Sequence, residues 1–246
     1  MKKEKQQIIL ATDLDRTLMP NGKNNYDNSL GIFRKLVSDK KTILIYVTGR
    51  NFNLVKEAIK EYSLPKPDYI IGNVGTRIYK KNKIELKSWE KEIKKRTPRW
   101  NIEKFKSLLK DIPGLELQEK SKQDKFKLSY YVHLKKEKQV LKKVKKLIPK
   151  KEKVQIVYSR DFPHPRGLLD ILPSKATKKG ALDYLTKKLK LKKEQIVFAG
   201  DSGNDLPLFV SKYKSIVVKN ASRKIKKIVK KKKKQKDLYI AKKGKY

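Results

Sequence analysis

Apolar residues recur along this chain with two different periods, and the alternation between them predicts the architecture. "QIILATDL" holds an unbroken apolar run that ends in small and polar residues, which reads as a buried strand. "NSLGIFRKLVSD" spaces Leu30, Phe33, Leu36 and Val37 at helical intervals. "TILIYVTG" reads as a second buried strand, and "NFNLVKEAIKEYSL" as a helix stopped by Pro65 and Pro67. "DYIIGNVGTRIY" reads as a third strand running into glycine-rich turn chemistry. Strand and helix alternating through short loops predict an α/β fold, a doubly wound parallel sheet.

From residue 80 to residue 165 the pattern changes. A helix "NIEKFKSLLKDI" precedes two alternating stretches, "FKLSYYVHL" and "KVQIVYS", which read as strands. Between them "KEKQVLKKVKKLI" places Val140, Leu141, Val144, Leu147 and Ile148 on one helical side. This α+β insert divides the sheet-forming core into residues 1–79 and 166–246. The earlier pattern then resumes with a strand "LLDILP", a helix "KKGALDYLTKKL", a strand "QIVFAGDSGND" and a strand "KSIVVKNA". In the tail, Ile225, Ile228 and Val229 give the lysine-rich run one apolar side, so a helix is expected there.

Composition narrows the chemistry. The 246 residues include no cysteine, which excludes disulfides, thiolate metal sites and a cysteine nucleophile. The basic opening "MKKEKQQIILATDLD" has an apolar run too short for a secretory leader, and no later run reaches membrane-spanning length. A cytoplasmic monomer without membrane contact is expected. The formal charge of +41 comes from 57 lysines and only nine arginines among the 66 basic residues. Lysine spread through every segment suits solvated faces, whereas base and phosphate readers favour arginine. Nucleic acid is therefore expected only as a nonspecific, salt-sensitive partner.

Two carboxylates, Asp13 and Asp15, stand where the first strand leaves the sheet, the edge at which open parallel sheets bind ligands. Such a pair repels unless a cation or protons intervene, and oxygen donors without cysteine suit a hard divalent ion, Mg2+ above all. The second strand ends in "VTGR", bringing the Thr48 hydroxyl and the turn N–H groups at Gly49 and Arg50 to the same edge, donors suited to phosphate. "GDSGND" adds Asp201 and Asp205 behind another strand, and Lys178 opens a helix from which it offsets their charge.

That ordered set, "DLDRT", "VTGR", Lys178 and "GDSGND", resembles the four motifs of the haloacid dehalogenase superfamily over residues 6–79 and 166–221. The insert resembles the larger α+β cap of the superfamily's sugar-phosphatase branch. "PDYIIGNVGTRIY", "KFKLSYYVHL" and "DILPSKATKKGALDYL" are similar to phrases of the sucrose-phosphate phosphatase family. The resemblance implies a Rossmann-like core and a Mg2+-dependent phosphatase acting on a sugar phosphate. It implies Asp13 as nucleophile, Asp15 as general acid and base, and Thr48 with Asn204 on the phosphoryl oxygens. It further implies Asp13, the Asp15 carbonyl, Asp201 and Asp205 around the metal, and Lys127, Ser129 and Tyr130 of the cap on the sugar. Arg77 and Lys179 depart from it, standing where the family usually carries glutamate and glycine. Sucrose 6-phosphate, mannosylfructose phosphate and other glycosyl phosphates all fit this reading. A phosphosugar mutase and a basic nucleic-acid-associated protein on a phosphatase scaffold are the alternatives.

Overall fold

The structure, a computed structural model, describes residues 8–20, 28–39, 42–81, 84–161 and 164–242. The basic opening before Ile8 and residues 162–163 of "SRDFPHPRG" lie outside them. In chain order the elements are β1 (Ile8–Thr12), α1 (Ser29–Asp39), β2 (Thr42–Val47), α2 (Phe52–Glu61), β3 (Tyr69–Gly72), β4 (Arg77–Lys80), β5 (Ile84–Glu85) and α3 (Lys87–Arg96). There follow α4 (Ile102–Leu109), β6 (Leu115–Leu117), β7 (Leu128–His133), α5 (Glu137–Leu147), β8 (Val154–Arg160) and β9 (Arg166–Pro173). The chain closes with α6 (Lys178–Lys188), β10 (Ile196–Gly200), α7 (Leu206–Phe209), β11 (Lys214–Val217), α8 (Arg223–Lys232) and β12 (Leu238–Ile240).

The larger sheet has the order β12-β11-β10-β1-β2-β3-β4-β5. Its strands from β12 to β3 are parallel, while β4 and β5 extend it antiparallel. β1 lies between β10 and β2, the point at which the winding direction reverses. Its apolar run is continuous because both faces are covered. Ile9 and Ala11 join a core with α3, α6, α7 and α8, while Leu10 packs on the other side with Val55 and Ala58 of α2. The strand therefore delivers Asp13 to the sheet's carboxyl edge at a switch point.

Three expectations need correction. The stretch "LLDILP" does not return to the large sheet: β9 pairs with β7 and β8 in a four-stranded sheet of order β6-β7-β9-β8. The smaller unit therefore extends to Pro173 and does not stop at residue 165, because Leu169 and Ile171 bury their side chains with Phe105, Val140 and Val144 beneath α4 and α5. At its other end, β4 and β5 pair with the large sheet, and Trp89 and Ile93 of α3 enter the large sheet's core, so the chain crosses only at residues 97–101. "DYIIGNVGTRIY" is likewise two strands, joined by the turn Asn73–Gly75.

That turn is backbone-specific. Asn73, Val74 and Gly75 all have positive φ, at 49°, 62° and 108°. A Cβ on Gly75 would lie 2.1 Å from the carbonyl carbon of Thr177 and 2.4 Å from the nitrogen of Lys178. Only glycine permits this approach. The Trp89 indole N–H donates to the Gly75 carbonyl at 3.0 Å, clamping the turn against the start of α6.

Candidate active site

Asp13, Thr48, Lys178, Asp201 and Asp205 converge at the carboxyl edge of the parallel sheet, all of them buried. The Asp13 N–H donates to the Ala199 carbonyl at 2.9 Å, tying the end of β1 to β10. One of its carboxylate oxygens accepts the Leu14 N–H at 2.8 Å, and the other lies 2.9 Å from the Lys178 ammonium. Lys178, capped into the first turn of α6 by the Thr177 hydroxyl, also donates to Asp205 Oδ1 at 2.8 Å. Asp205 Oδ2 accepts the N–H groups of Asp201 and Ser202 and the Ser202 hydroxyl, at 3.0 to 3.2 Å. Both Asp205 oxygens are thus occupied, and Asp205 shapes the loop that presents Asp201.

Each carboxylate of Asp13, Asp201 and Asp205 offers an oxygen within 4.8 Å of the others. Asp13 and Asp205 share one buried ammonium, and the Arg16 guanidinium lies 3.8 Å from Asp201 at the rim. The electrostatics register the shortage of positive charge. Burial, with Asp205 and Asp15 adding to it, pushes the Asp13 carboxyl well up against the opposing pull of Lys178. Burial and then Asp205 push Asp201 up to about 7. Burial alone would lower Lys178, but the Asp13 and Asp205 carboxylates raise it and keep it protonated. An all-oxygen donor set with excess negative charge fits a hard divalent cation, with Asp13 and Asp201 as the open donors.

This predicts a pH-dependent response to metal. A carboxyl raised in the folded protein binds its proton more tightly than in the unfolded chain, so its contribution to stability is complete below about pH 4 and is lost as the pH rises through about 7. The melting temperature of chelator-treated protein is expected to fall between pH 5.5 and 8, and Mg2+ to raise it more at pH 8 than at pH 5.5. Asp201→Asn flattens that difference. Equal Mg2+ shifts at both pH values in the native protein would remove Asp201 from the metal site.

Asp15 does not join the three acids. Its carboxylate takes a bidentate pair from Arg50, Nε at 2.9 and 3.1 Å and Nη2 at 2.7 Å. The Thr48 hydroxyl accepts the Arg50 N–H at 3.1 Å and retains its own proton to donate. Two adjoining cavities meet at Asp15 and Gly49, which line both. The first, about 160 Å3, holds Asp13, Lys178, Asp201 and Asn204, with Ser159, Arg160 and Asp161 of the small sheet above them. The second, about 170 Å3, is lined by Arg50, Asn73, Gln118, Ser121, Lys122, Lys127 and Asp170. A larger groove of about 460 Å3 between α2 and β3–β4, with Phe52, Lys56, Tyr69 and Lys80, has no acidic residue in its lining among the described residues. Chemistry, not size, marks the site.

Of the three expected cap contacts, Lys127 lines the second cavity. It is 6% exposed, and its ammonium has no ion-pair partner among the described residues. The Ser129 hydroxyl donates to Asp170 Oδ1 at 2.5 Å, so it acts by fixing a carboxylate that faces the cavity. Tyr130 does not reach the site. Strand alternation turns it to the opposite face of β7, where it is buried with Leu128, Val132 and Phe105. Sequence reasoning missed Gln118, Asp170 and the tip of β8. The signal for Asp170 was a lone carboxylate inside the apolar stretch "LLDILP". Lys179 points away, pairing with Asp183 at 2.5 Å one turn along α6, and so plays no part in the site.

Comparison with known proteins agrees with this geometry. The family model for sucrose-6F-phosphate phosphohydrolase matches residues 6–245. A putative HAD-like hydrolase from Nitrosococcus oceani is 38% identical over 227 residues, covering 90% of this chain and 61% of that protein. Mannosylfructose-phosphate phosphatase from Agrobacterium fabrum is 31% identical over 215 residues, covering 87% and 83%. The chain spans about half the length of the plant sucrose-phosphatases it matches. The crystal structure of the sucrose-phosphatase from Synechocystis sp. PCC6803, in complex with sucrose and phosphate, superposes with a TM-score of 0.79 at 24% identity, covering 96% of this chain and 92% of that one. With acids, threonine and lysine at the sheet edge and the match running nearly end to end, the chain belongs to the sucrose-6F-phosphate phosphohydrolase family.

Proposed function

We propose that the protein is a Mg2+-dependent phosphatase that hydrolyses a glycosyl phosphate, sucrose 6-phosphate or a close analogue, through an aspartyl-phosphate on Asp13. The observation that carries this reading is the meeting of the two cavities at Asp15: a phosphoryl group beside Asp13 and Lys178 leaves its sugar among the polar side chains beyond Arg50. Sucrose and phosphate bound together in the Synechocystis enzyme, and the mannosylfructose-phosphate phosphatase activity named for the Agrobacterium relative, support the same substrate class.

In this reading an Asp13 oxygen attacks phosphorus as the bond from phosphorus to the sugar oxygen breaks. Asp15, at the junction of the two cavities, serves as the general acid that passes a proton to the departing alkoxide. The Asp15 carboxylate then takes a proton from water, whose oxygen attacks phosphorus and breaks the bond to Asp13, releasing phosphate. Thr48 donates to a phosphoryl oxygen, and Asn204 stands at the rim of the same cavity. Lys178 stays charged and balances Asp13 between turnovers. Asp13, the Asp15 carbonyl and Asp201, with Asp205 behind, would hold Mg2+, which would supply charge neutralisation of the transferring group.

A phosphate-release screen with Mg2+ tests the assignment. Sucrose 6-phosphate or mannosylfructose phosphate is expected to exceed hexose monophosphates by about tenfold or more in kcat/KM, since the polar lining has partners for a second ring. A flat profile across these esters would sink the disaccharide assignment.

A further inference from the structure

Arg77, which departs from the family pattern, lies outside both cavities. It sits at the start of β4 among three carboxylates, with Nη1 2.5 Å from Glu85 and 3.5 Å from Glu90, and Nε 2.9 Å from Asp124. Arg77 and Asp124 are only 14% and 11% exposed, so water screens the pair little. Asp124 belongs to the loop between β6 and β7, the loop that brings Gln118, Ser121, Lys122 and Lys127 to the second cavity.

Within itself this loop is folded around Gln123, whose amide donates to the carbonyls of Gln118 and Ser129 and accepts the Ser129 N–H. Its attachment to the large sheet is a separate set of contacts. Asp124 accepts from Arg77 Nε, from Asn73 Nδ2 at 3.3 Å and from the Thr76 hydroxyl at 3.4 Å. Lys125 pairs with Glu90 at 2.8 Å, and Phe126 is buried in the large sheet's core. Asn73 in turn opens the left-handed turn whose backbone donates to the carbonyls of Arg50 and Thr48, and whose Gly75 presses on Lys178.

We propose that the Arg77–Asp124 pair positions the sugar-side wall of the cavity against the phosphoryl site, so that both are residues of substrate recognition acting through the loop they hold. The inference rests on the phosphatase reading above. The Asp124 carboxylate joins the loop carrying Lys127 to the turn beside Thr48, Arg50 and Lys178, and Arg77, anchored through Nη1 on Glu85 and Glu90, holds that carboxylate by its Nε–H. Loss of that contact leaves Asp13 and Asp15 in place but lets the wall drift, and small misplacements of a binding group are costly in rate.

The test compares two substrates in native protein, Arg77→Met, Arg77→Lys and Asp124→Asn. Sucrose 6-phosphate uses the wall, whereas acetyl phosphate has a leaving group too small to reach residues 118–127. In Arg77→Met and Asp124→Asn, the ratio of kcat/KM for sucrose 6-phosphate over acetyl phosphate is expected to fall about tenfold or more, chiefly through KM. Hydrogen exchange in residues 118–127 is expected to quicken while β1 and β10 stay protected. Arg77→Lys, which keeps the charge but loses the planar guanidinium that bridges Glu85, Glu90 and Asp124, falls between. A ratio within about twofold of native in the folded variants overturns the proposal, whether or not exchange quickens. Should Arg77→Met fail to fold among three acids, Asp124→Asn decides, since it keeps the side-chain volume and one acceptor oxygen. If native protein releases no phosphate from any sugar phosphate, the phosphatase reading fails, and unchanged exchange in the variants is then the result that also removes the latch.

Discussion

Asparagine at Asp13 is expected to lower phosphate release by about 10³-fold or more while leaving the protein at least as stable as before. The two halves of this result have different causes. An amide oxygen cannot form the covalent intermediate, so the chemical step is lost. The fold, by contrast, carries the Asp13 charge at a cost, because burial and the neighbouring acids push its carboxyl well up. Asparagine keeps the shape, still accepts the Leu14 N–H, and leaves Lys178 with Asp205 at 2.8 Å. Phosphate release and thermal melting at pH 7.5 measure both halves. Retained turnover would defeat the nucleophile assignment, and a collapsed fold would defeat the electrostatic account.

Methionine at Lys178 is expected to damage both properties. Lys178 is 1% exposed and is the buried cation between Asp13 and Asp205. Its removal strands carboxylates that the fold cannot hydrate, and breaking a buried pair from one side costs about 3–5 kcal/mol. Turnover falls with it, because the charge that balances the nucleophile and the phosphoryl oxygens is gone. Protons substitute for the missing ammonium at low pH, so the loss of stability is expected to be smaller at pH 5.5 than at pH 8. Urea unfolding at the two pH values, with chelator present, measures the difference. A stability loss independent of pH would mean that Lys178 contributes packing and not charge.

What the sequence discloses of this molecule follows the reach of each interaction. β1, β2 and β10 are legible because a strand covered on both faces must be apolar throughout, and their polar ends then fall at one edge. Asp13, Thr48, Lys178 and Asp201 are legible for the same reason, being strand or helix ends. β9 is less so: "LLDILP" is as apolar as a core strand, and only its register with β7 and β8 reveals which sheet it joins. Tyr130 was readable in principle, since period two places it opposite Ser129 and Lys127, but the phrase "KFKLSYYVHL" is apolar enough to hide which face is wet. The short helix α3 has only Trp89 and Ile93 buried among charged residues, too few positions for a clear period. The partners of Arg77 lie 8, 13 and 47 residues away, and nothing local in the chain announces that they meet.

The placement of β9 has a mechanical consequence. Asp170, lining the second cavity, and Lys178, paired with Asp13, are ends of one short run of chain: three more strand residues and a tether of four, residues 174–177. The tether is seated on α6, since a Cβ on Gly180 would meet the Lys175 carbonyl. Four residues span at most about 14 Å even when pulled straight. The small sheet is therefore on a short leash, and a displacement of β9 longer than that tether can absorb would have to move the start of α6, where Lys178 sits.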